Sequence, residues 1–163
     1  MVKPIPDGYH SITPYLVVNK GVEAIEFYKR AFGAIEEYRH VSPDGKAIVN
    51  AELRIGDSPI LLSDEFSHEG GTEKSRSPKS IGGTAVIIHI YTEDVDKIFN
   101  QAISAGAKEV MPVTDMFWGD RYGQIVDPYG HIWSIATHKR DPSKEEIQNA
   151  AEAMFKDMAS SKA

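Results

Sequence analysis

The amino-acid sequence predicts an α+β fold of two repeated βαβββ modules followed by a C-terminal helix. Three observations carry this reading. First, Val22, Ala24, Ile25, Phe27, Tyr28, Ala31 and Phe32 form an apolar stripe at helical spacing that stops at Gly33, and a second stripe, opened by Val95 and Ile98, stops at Gly106. Second, the two stripes superpose at one constant offset of 73 residues, each preceded by a strand-like segment, which is the mark of an internal duplication. Third, two strand-like runs, Arg121–Val126 and His131–His138, meet at Asp127-Pro128-Tyr129-Gly130, where Pro presets φ and Gly takes the left-handed position of a tight turn.

Composition narrows the class. The chain has 163 residues, enough for one domain with a real core, and its 41% hydrophobic and 26% charged content is ordinary for a globular protein. A net charge of −6 with no local basic cluster argues against nucleic acid as a partner. The absence of cysteine excludes disulfides, thiolate metal ligation and a cysteine nucleophile. No apolar run approaches the roughly 18 residues of a membrane span, and the start MVKPIPDGYH has no signal-peptide core, so a soluble, cytoplasmic protein is expected.

Taken in order, Met1–His10 is a lead-in with two prolines and a glycine. Module one, about 10–66, opens with a strand over Ser11–Val18, in which Pro14 implies an edge or a bulge. A helix over about Val22–Phe32 follows, with Gly33 as a left-handed cap. Ile35–Val41 is a strand, Ser42-Pro43-Asp44-Gly45 a turn, Lys46–Ile55 an alternating half-buried strand, and Ser58–Asp64 a fourth strand after the Gly56-Asp57 turn. Residues 65–83, polar and rich in Gly, Ser and Lys, read as a linker or lid-like loop.

Module two, about 84–138, repeats the order: strand Thr84–Thr92, helix about Val95–Ser104, stop Gly106, strand Val110–Val113. Met116–Trp118 reads as the start of the next strand, continued after Gly119 by Arg121–Val126. Beyond Lys139-Arg140-Asp141-Pro142, Ser143 stands at capping-box spacing from Glu146 and opens a helix over about 143–159. Its stripe of Ile147, Ala150, Ala151, Met154, Phe155 and Met158 needs a cover, either the chain's own sheet or a second subunit.

Two copies of this order, with Phe27-Tyr28-x3-Phe32-Gly33, Leu62-Ser63-Asp64, Phe117-Trp118-Gly119-Asp120-Arg121-Tyr122-Gly123 and Asp127-Pro128-x-Gly130-x2-Trp133, resemble the vicinal-oxygen-chelate superfamily over roughly residues 10–138. That superfamily contains glyoxalase I, extradiol dioxygenases and bleomycin-resistance proteins, and the motifs look most like its PhnB-like branch. The resemblance implies a curled mixed sheet whose two halves share one pocket, and a homodimer. It also implies a reaction only weakly, because function resides in the site rather than the fold.

Metal-dependent relatives hold a divalent ion with His or Gln on the first strand, Glu on the fourth, His on the fifth and Glu on the eighth. Carried onto this chain, those positions fall at about Thr13, Leu61 or Leu62, Ile87 and Ser134, none a good hard-metal donor. No metal or other cofactor is therefore expected. The reading that follows is a metal-free protein binding a small molecule. The alternative is a lyase, isomerase or dioxygenase using Zn, Ni, Mn or Fe.

The candidate ligand-binding residues are His89, Trp118, Arg121, Tyr122 and Ser134. His89, two residues past Ile87 on the same strand face, either orients a ligand as a neutral imidazole or is a hydrogen-bonded core histidine. Trp118 and Tyr122 either wall a pocket for a flat or apolar ligand or belong to the core. Asp120 and Arg121 either bind a polar group or support a turn. His10 and His138 join His89 only if folded close to it, whereas His40, His68 and His131 read as surface or turn residues. Asn50, Glu52 and Arg54 share one strand face, solvated or lining a pocket, with Glu52 the one stray carboxylate near a metal position. No nucleophile with an adjacent base stands out, and no glycine-rich loop marks a nucleotide-type cofactor site.

Overall fold

The computed structural model describes residues 2–66 and 75–160. Its elements are β1 (Tyr15–Val18), α1 (Gly21–Phe32), β2 (Ile35–Val41), β3 (Ile48–Ile55), β4 (Ser58–Asp64), α2 (Pro78–Ile81), β5 (Ile87–Tyr91), α3 (Val95–Ala105), β6 (Lys108–Asp115), β7 (Asp120–Val126), β8 (Ile132–His138) and α4 (Lys144–Ser160). Two four-stranded mixed sheets result, in the orders β1-β4-β3-β2 and β5-β8-β7-β6. In each, the first strand runs parallel to the last and the other pairs are antiparallel. The βαβββ unit therefore occurs twice.

The helices bury the stripes read from the sequence. Gly33 and Gly106 cap α1 and α3 in the left-handed conformation, each donating its N–H back into the last turn. Both helices lie on the inner faces of the sheets, where Phe27, Tyr28, Phe32, Phe99, Ile125, Trp133 and Ile135 form one core across the two halves. The start of each helix is anchored in the same way. Asp64, at the end of β4, accepts the N–H of Gly21 at 2.8 Å and that of Ile48 at 2.7 Å. Thr137, 73 residues further on, accepts the N–H of Val95 at 2.8 Å and donates to the Thr92 carbonyl at 2.9 Å. Different residue types thus satisfy the first free donors of the two helices at equivalent positions.

Several boundaries differ from the sequence expectation. β1 begins at Tyr15 rather than Ser11, because Pro14 contributes only its carbonyl, to the N–H of Leu61. β3 begins at Ile48, since Ser42–Ala47 closes on itself through Ser42 N–H to Ala47 O and Ala47 N–H to Ser42 Oγ. β5 is shorter and β6 longer than read. Within the expected loop 65–83 lies the short helix α2, with Ser77 as N-cap and Pro78 at its first turn, while residues 67–74, the middle of that loop, lie outside the described residues.

Met116–Trp118 is a turn, not a strand. Met116 N–H donates to Asp120 O at 2.7 Å and Gly119 N–H to Met116 O at 3.0 Å, with Gly119 at φ 107° reversing the chain. The aromatic pair had the composition of a strand, but the glycine closes a hairpin between β6 and β7.

After β8 the capping box forms as spaced. Ser143 N–H donates to Glu146 Oε2 at 2.7 Å, and Glu146 N–H to Ser143 Oγ at 3.2 Å. Met154 and Phe155 on α4 nevertheless remain 41% and 65% exposed, so the chain's own sheets do not cover that part of the stripe. The side chain of Met158 lies outside the described residues.

Candidate functional site

Strand alternation divides the second sheet into two faces. Ile88, Ile90, Trp133, Ile135 and Ile125 point to the helices. The outer face is assembled by register: His89 stands beside Ser134, which stands beside Gln124, and in the next row Tyr91, Ala136 and Tyr122 align, followed by His138 opposite Asp120. Trp118, from the turn before β7, leans onto this face.

The result is a row of rings. His89 and Tyr91 meet edge to face with centroids 4.5 Å apart, His89 and Tyr122 are near-parallel at 6.1 Å, and Tyr122 and Trp118 meet edge to face at 5.7 Å. His89 Nδ1 is hydrogen-bonded to Ser134 Oγ at 2.7 Å. Gln124 donates to the Tyr122 hydroxyl. At the end of the row, the buried carboxylate of Asp120 accepts the Tyr91 hydroxyl at 3.2 Å, the Trp118 indole N–H at 3.1 Å and His138 Nδ1–H at 2.7 Å. His138 also donates through Nε2 to Asp141 at 2.9 Å.

Four of the five sequence candidates, His89, Trp118, Tyr122 and Ser134, are brought together here. Arg121 is not among them. It leaves β7 on the opposite face and grips Asp96, in the first turn of α3, through two 2.7 Å hydrogen bonds, with a third to Asp115 at 3.2 Å. Alternation alone separates it from Tyr122. Asp120, weighed with Arg121 as a polar binder or turn support, completes the cluster together with Tyr91 and Gln124, which were not singled out although their two-residue spacing from His89 and Tyr122 was a usable signal. His131, read as a turn residue, is half-buried, and its Nε2–H donates to the Val17 carbonyl on the free side of β1 at 3.0 Å. His68 lies outside the described residues. On the first sheet, Glu52 is hydrogen-bonded to Tyr9, and Arg54 is paired with Glu37 at 2.6 Å, so this strand face is partly occupied by the chain itself.

The two imidazoles are driven apart. Burial pushes the His89 pKa down, partly opposed by the Asp120 charge, whereas hydrogen bonds to Asp120 and Asp141 push His138 up. In an NMR pH titration His138 is expected to titrate above the ordinary value of about 6.5 and His89 below it, and Asp120→Asn to bring His138 back down. The stabilities have opposite signs. The His138 contribution is complete below its unfolded pKa and lost as pH rises through its folded one, while His89 opposes folding as pH falls below its unfolded pKa. Matching titrations for both rings would contradict this geometry.

The donor set does not fit a metal centre of the vicinal-oxygen-chelate kind. Thr13 precedes β1, Leu61 and Leu62 are apolar, Ile87 is aliphatic and Ser134 is hydrogen-bonded to His89. Among the described residues no three His, Cys, Asp or Glu side chains converge as a metal-binding group.

A cleft of about 820 Å³ also opens between the two halves of the chain, with Phe32, Ile55 and Ile60 on one side and Ile88, Ile98 and Trp133 on the other. No helix of the described residues is long and apolar enough to cross a membrane.

Comparison with known proteins places these features. Residues 8–135 match the family described as the Glyoxalase/Bleomycin resistance protein/Dioxygenase superfamily. An uncharacterized protein of Mycobacterium bovis, Mb0911c, is 44% identical over 140 residues, covering 86% of this chain and 91% of that protein. The uncharacterized Arabidopsis thaliana protein At5g48480 is 31% identical over 134 residues, covering 76% of each. The X-ray structure of its gene product superposes with a TM-score of 0.61, covering 78% of this chain and 98% of the other at 27% identity. The crystal structure of TioX from a Micromonospora species gives a TM-score of 0.62 at 25% identity, covering 79% and 98%.

Proposed function

The chain belongs to the glyoxalase/bleomycin resistance protein/dioxygenase superfamily, and within it we propose a metal-free protein that binds a flat, mainly apolar small molecule on the outer face of the second sheet. The observation that carries this reading is the row Tyr91–His89–Tyr122–Trp118, with Tyr91 64% exposed at one end. Stacked rings beside a neutral imidazole and a serine hydroxyl offer a planar ligand large contact area at little entropic cost, with one or two polar groups to fix its orientation. A structural row of core aromatics would have been covered by a helix. The FWGDRYG and DPxGxxW segments support placement in the PhnB-like branch, and a cytoplasmic location belongs to the same reading.

The test is a fluorescence titration of Trp118 with a panel of neutral, planar aromatic compounds. At least one should quench saturably, and Tyr122→Ala should weaken it about tenfold, the loss of one ring contact of roughly 1.4 kcal/mol. His89→Ala should weaken the same ligand while leaving the melting temperature near that of the wild type. No saturable quenching, or a His89→Ala variant that loses stability with ligand affinity unchanged, would assign these rings to the core instead.

A homodimer is part of the proposal. The exposed Met154 and Phe155 of α4 offer an apolar contact surface that a second copy would bury. Light scattering behind a sizing column should give a dimer for the wild type and a shift toward monomer for Phe155→Glu. A monomeric wild type would contradict it.

A further inference from the structure

We propose that the cleft between the two halves is a second ligand site, for an uncharged and largely apolar small molecule carrying an amide-like donor and acceptor. Its floor and walls come from the core, with Phe32, Trp133 and Ile98 beneath and Ile55, Ile60, Ile88 and Ile90 at the sides. Polar side chains, among them His10, Asp57, Ser58 and Thr92, also line it. At about 820 Å³ it falls within the span of small-molecule sites, roughly 300–1,000 Å³. The apolar floor disfavours an ion and rewards transfer of apolar surface from water, and Asp57, exposed at the lining, is the one acidic side chain there.

The backbone supplies the polar recognition. β5 is the terminal strand of its sheet, and its residues from Ile88 to Tyr91 line the cleft. Thr92 N–H donates to Ala136 O on β8 at 2.8 Å. Because successive peptide groups of a strand point to opposite sides, the N–H and C=O groups of Tyr91 and His89 are turned away from β8, toward the free edge. That edge carries no proline, lysine or bulge of the kind that usually blunts one. An apolar ligand settling there would desolvate those groups, so each hydrogen bond it returns to them adds affinity, and a single N–H to an edge carbonyl is enough to seat a probe. His89 and Tyr91 thus serve the ring row with their side chains and the cleft with their backbone. The two sites stand on opposite sides of one strand and are tested separately.

The probe is N-phenyl-1-naphthylamine, which is neutral, carries one N–H and fluoresces when it leaves water. Wild-type protein should give a saturable enhancement at one probe per chain. Ser58→Trp, placing an indole in the cleft, should abolish it, and Ile12→Asp, bringing a carboxylate to a cleft-lining residue that is 87% exposed, should weaken it at least tenfold with the circular dichroism spectrum unchanged. Tyr122→Ala, on the ring row, should leave the enhancement in place. Overturning results are no saturable enhancement in the wild type, an enhancement untouched by both Ser58→Trp and Ile12→Asp, or one removed by Tyr122→Ala. Because Trp133 lines the cleft, quenching is read in a Trp133→Phe background, where Trp118 is the remaining tryptophan and reports the ring row alone, so either site can fail without the other.

Discussion

Asp127→Ala is expected to cost about 3–5 kcal/mol of stability and to lower the melting temperature by about 10 °C. Asp127 is 3% exposed and accepts four hydrogen bonds. Oδ2 takes the Tyr28 hydroxyl at 2.8 Å and the Trp133 indole N–H at 2.9 Å, while Oδ1 takes the N–H of Tyr129 at 2.8 Å and of His131 at 2.9 Å. Alanine would strand the first two donors among the rings of Phe27, Phe32 and Tyr129. It would also release the turn and the tie between α1 and the second sheet. Asp127→Asn, keeping the shape and one acceptor, should cost markedly less. Thermal or urea unfolding decides it: a loss below about 1 kcal/mol for Asp127→Ala would mean that the buried donors find other partners.

Gly119→Ala should cost about 2–4 kcal/mol and weaken ligand binding on the ring row. Gly119 sits at φ 107°, which side-chain-bearing residues avoid. A Cβ there would lie 2.1 Å from the Arg140 carbonyl oxygen and 2.8 Å from Pro142 Cδ. The turn cannot simply back away, because the N–H groups of Lys139 and Arg140 both donate to the Gly119 carbonyl, at 2.9 and 3.1 Å. Trp118 and Asp120 flank this glycine, so its displacement moves one end of the ring row and the carboxylate that fixes it. Unfolding and Trp118 quenching should change together. A variant within about 0.5 kcal/mol of the wild type, with unaltered quenching, would show that the hairpin is free to shift.

The repeat was legible because its signals are local. Apolar spacing and stop glycines mark α1 and α3 wherever the chain goes, and the DPYG turn carries its own dihedral preferences. The Met116–Trp118 turn was not, since aromatic residues favour strands and Gly119 is held by the segment after β8, contacts no window of sequence contains. The meaning of the DPxGxxW segment was half visible: Trp133 is six residues from Asp127, but Tyr28 arrives from 99 residues away. The equivalence of Asp64 and Thr137 was hidden by their different chemistry, although both end a strand and hold a helix start. Of the site, His89 was readable from alternation along its strand, Ser134 from the position the family resemblance gave it, and Tyr122 and Trp118 from their aromatic chemistry, although Trp118 stands in the turn before β7. Cross-strand register brings Asp120 and Tyr91 beside them, and the same alternation that selects Tyr122 sends Arg121 to the helix side.

We propose that this site works without a metal ion. The most direct measurement is the melting temperature of chelator-treated protein titrated with Ni, Zn, Mn or Fe(II), because an ion bound tightly by the native state must raise it by mass action. No dose-dependent rise is expected with any of the four. A saturable rise with one of them would contradict it and assign the chain a metal centre.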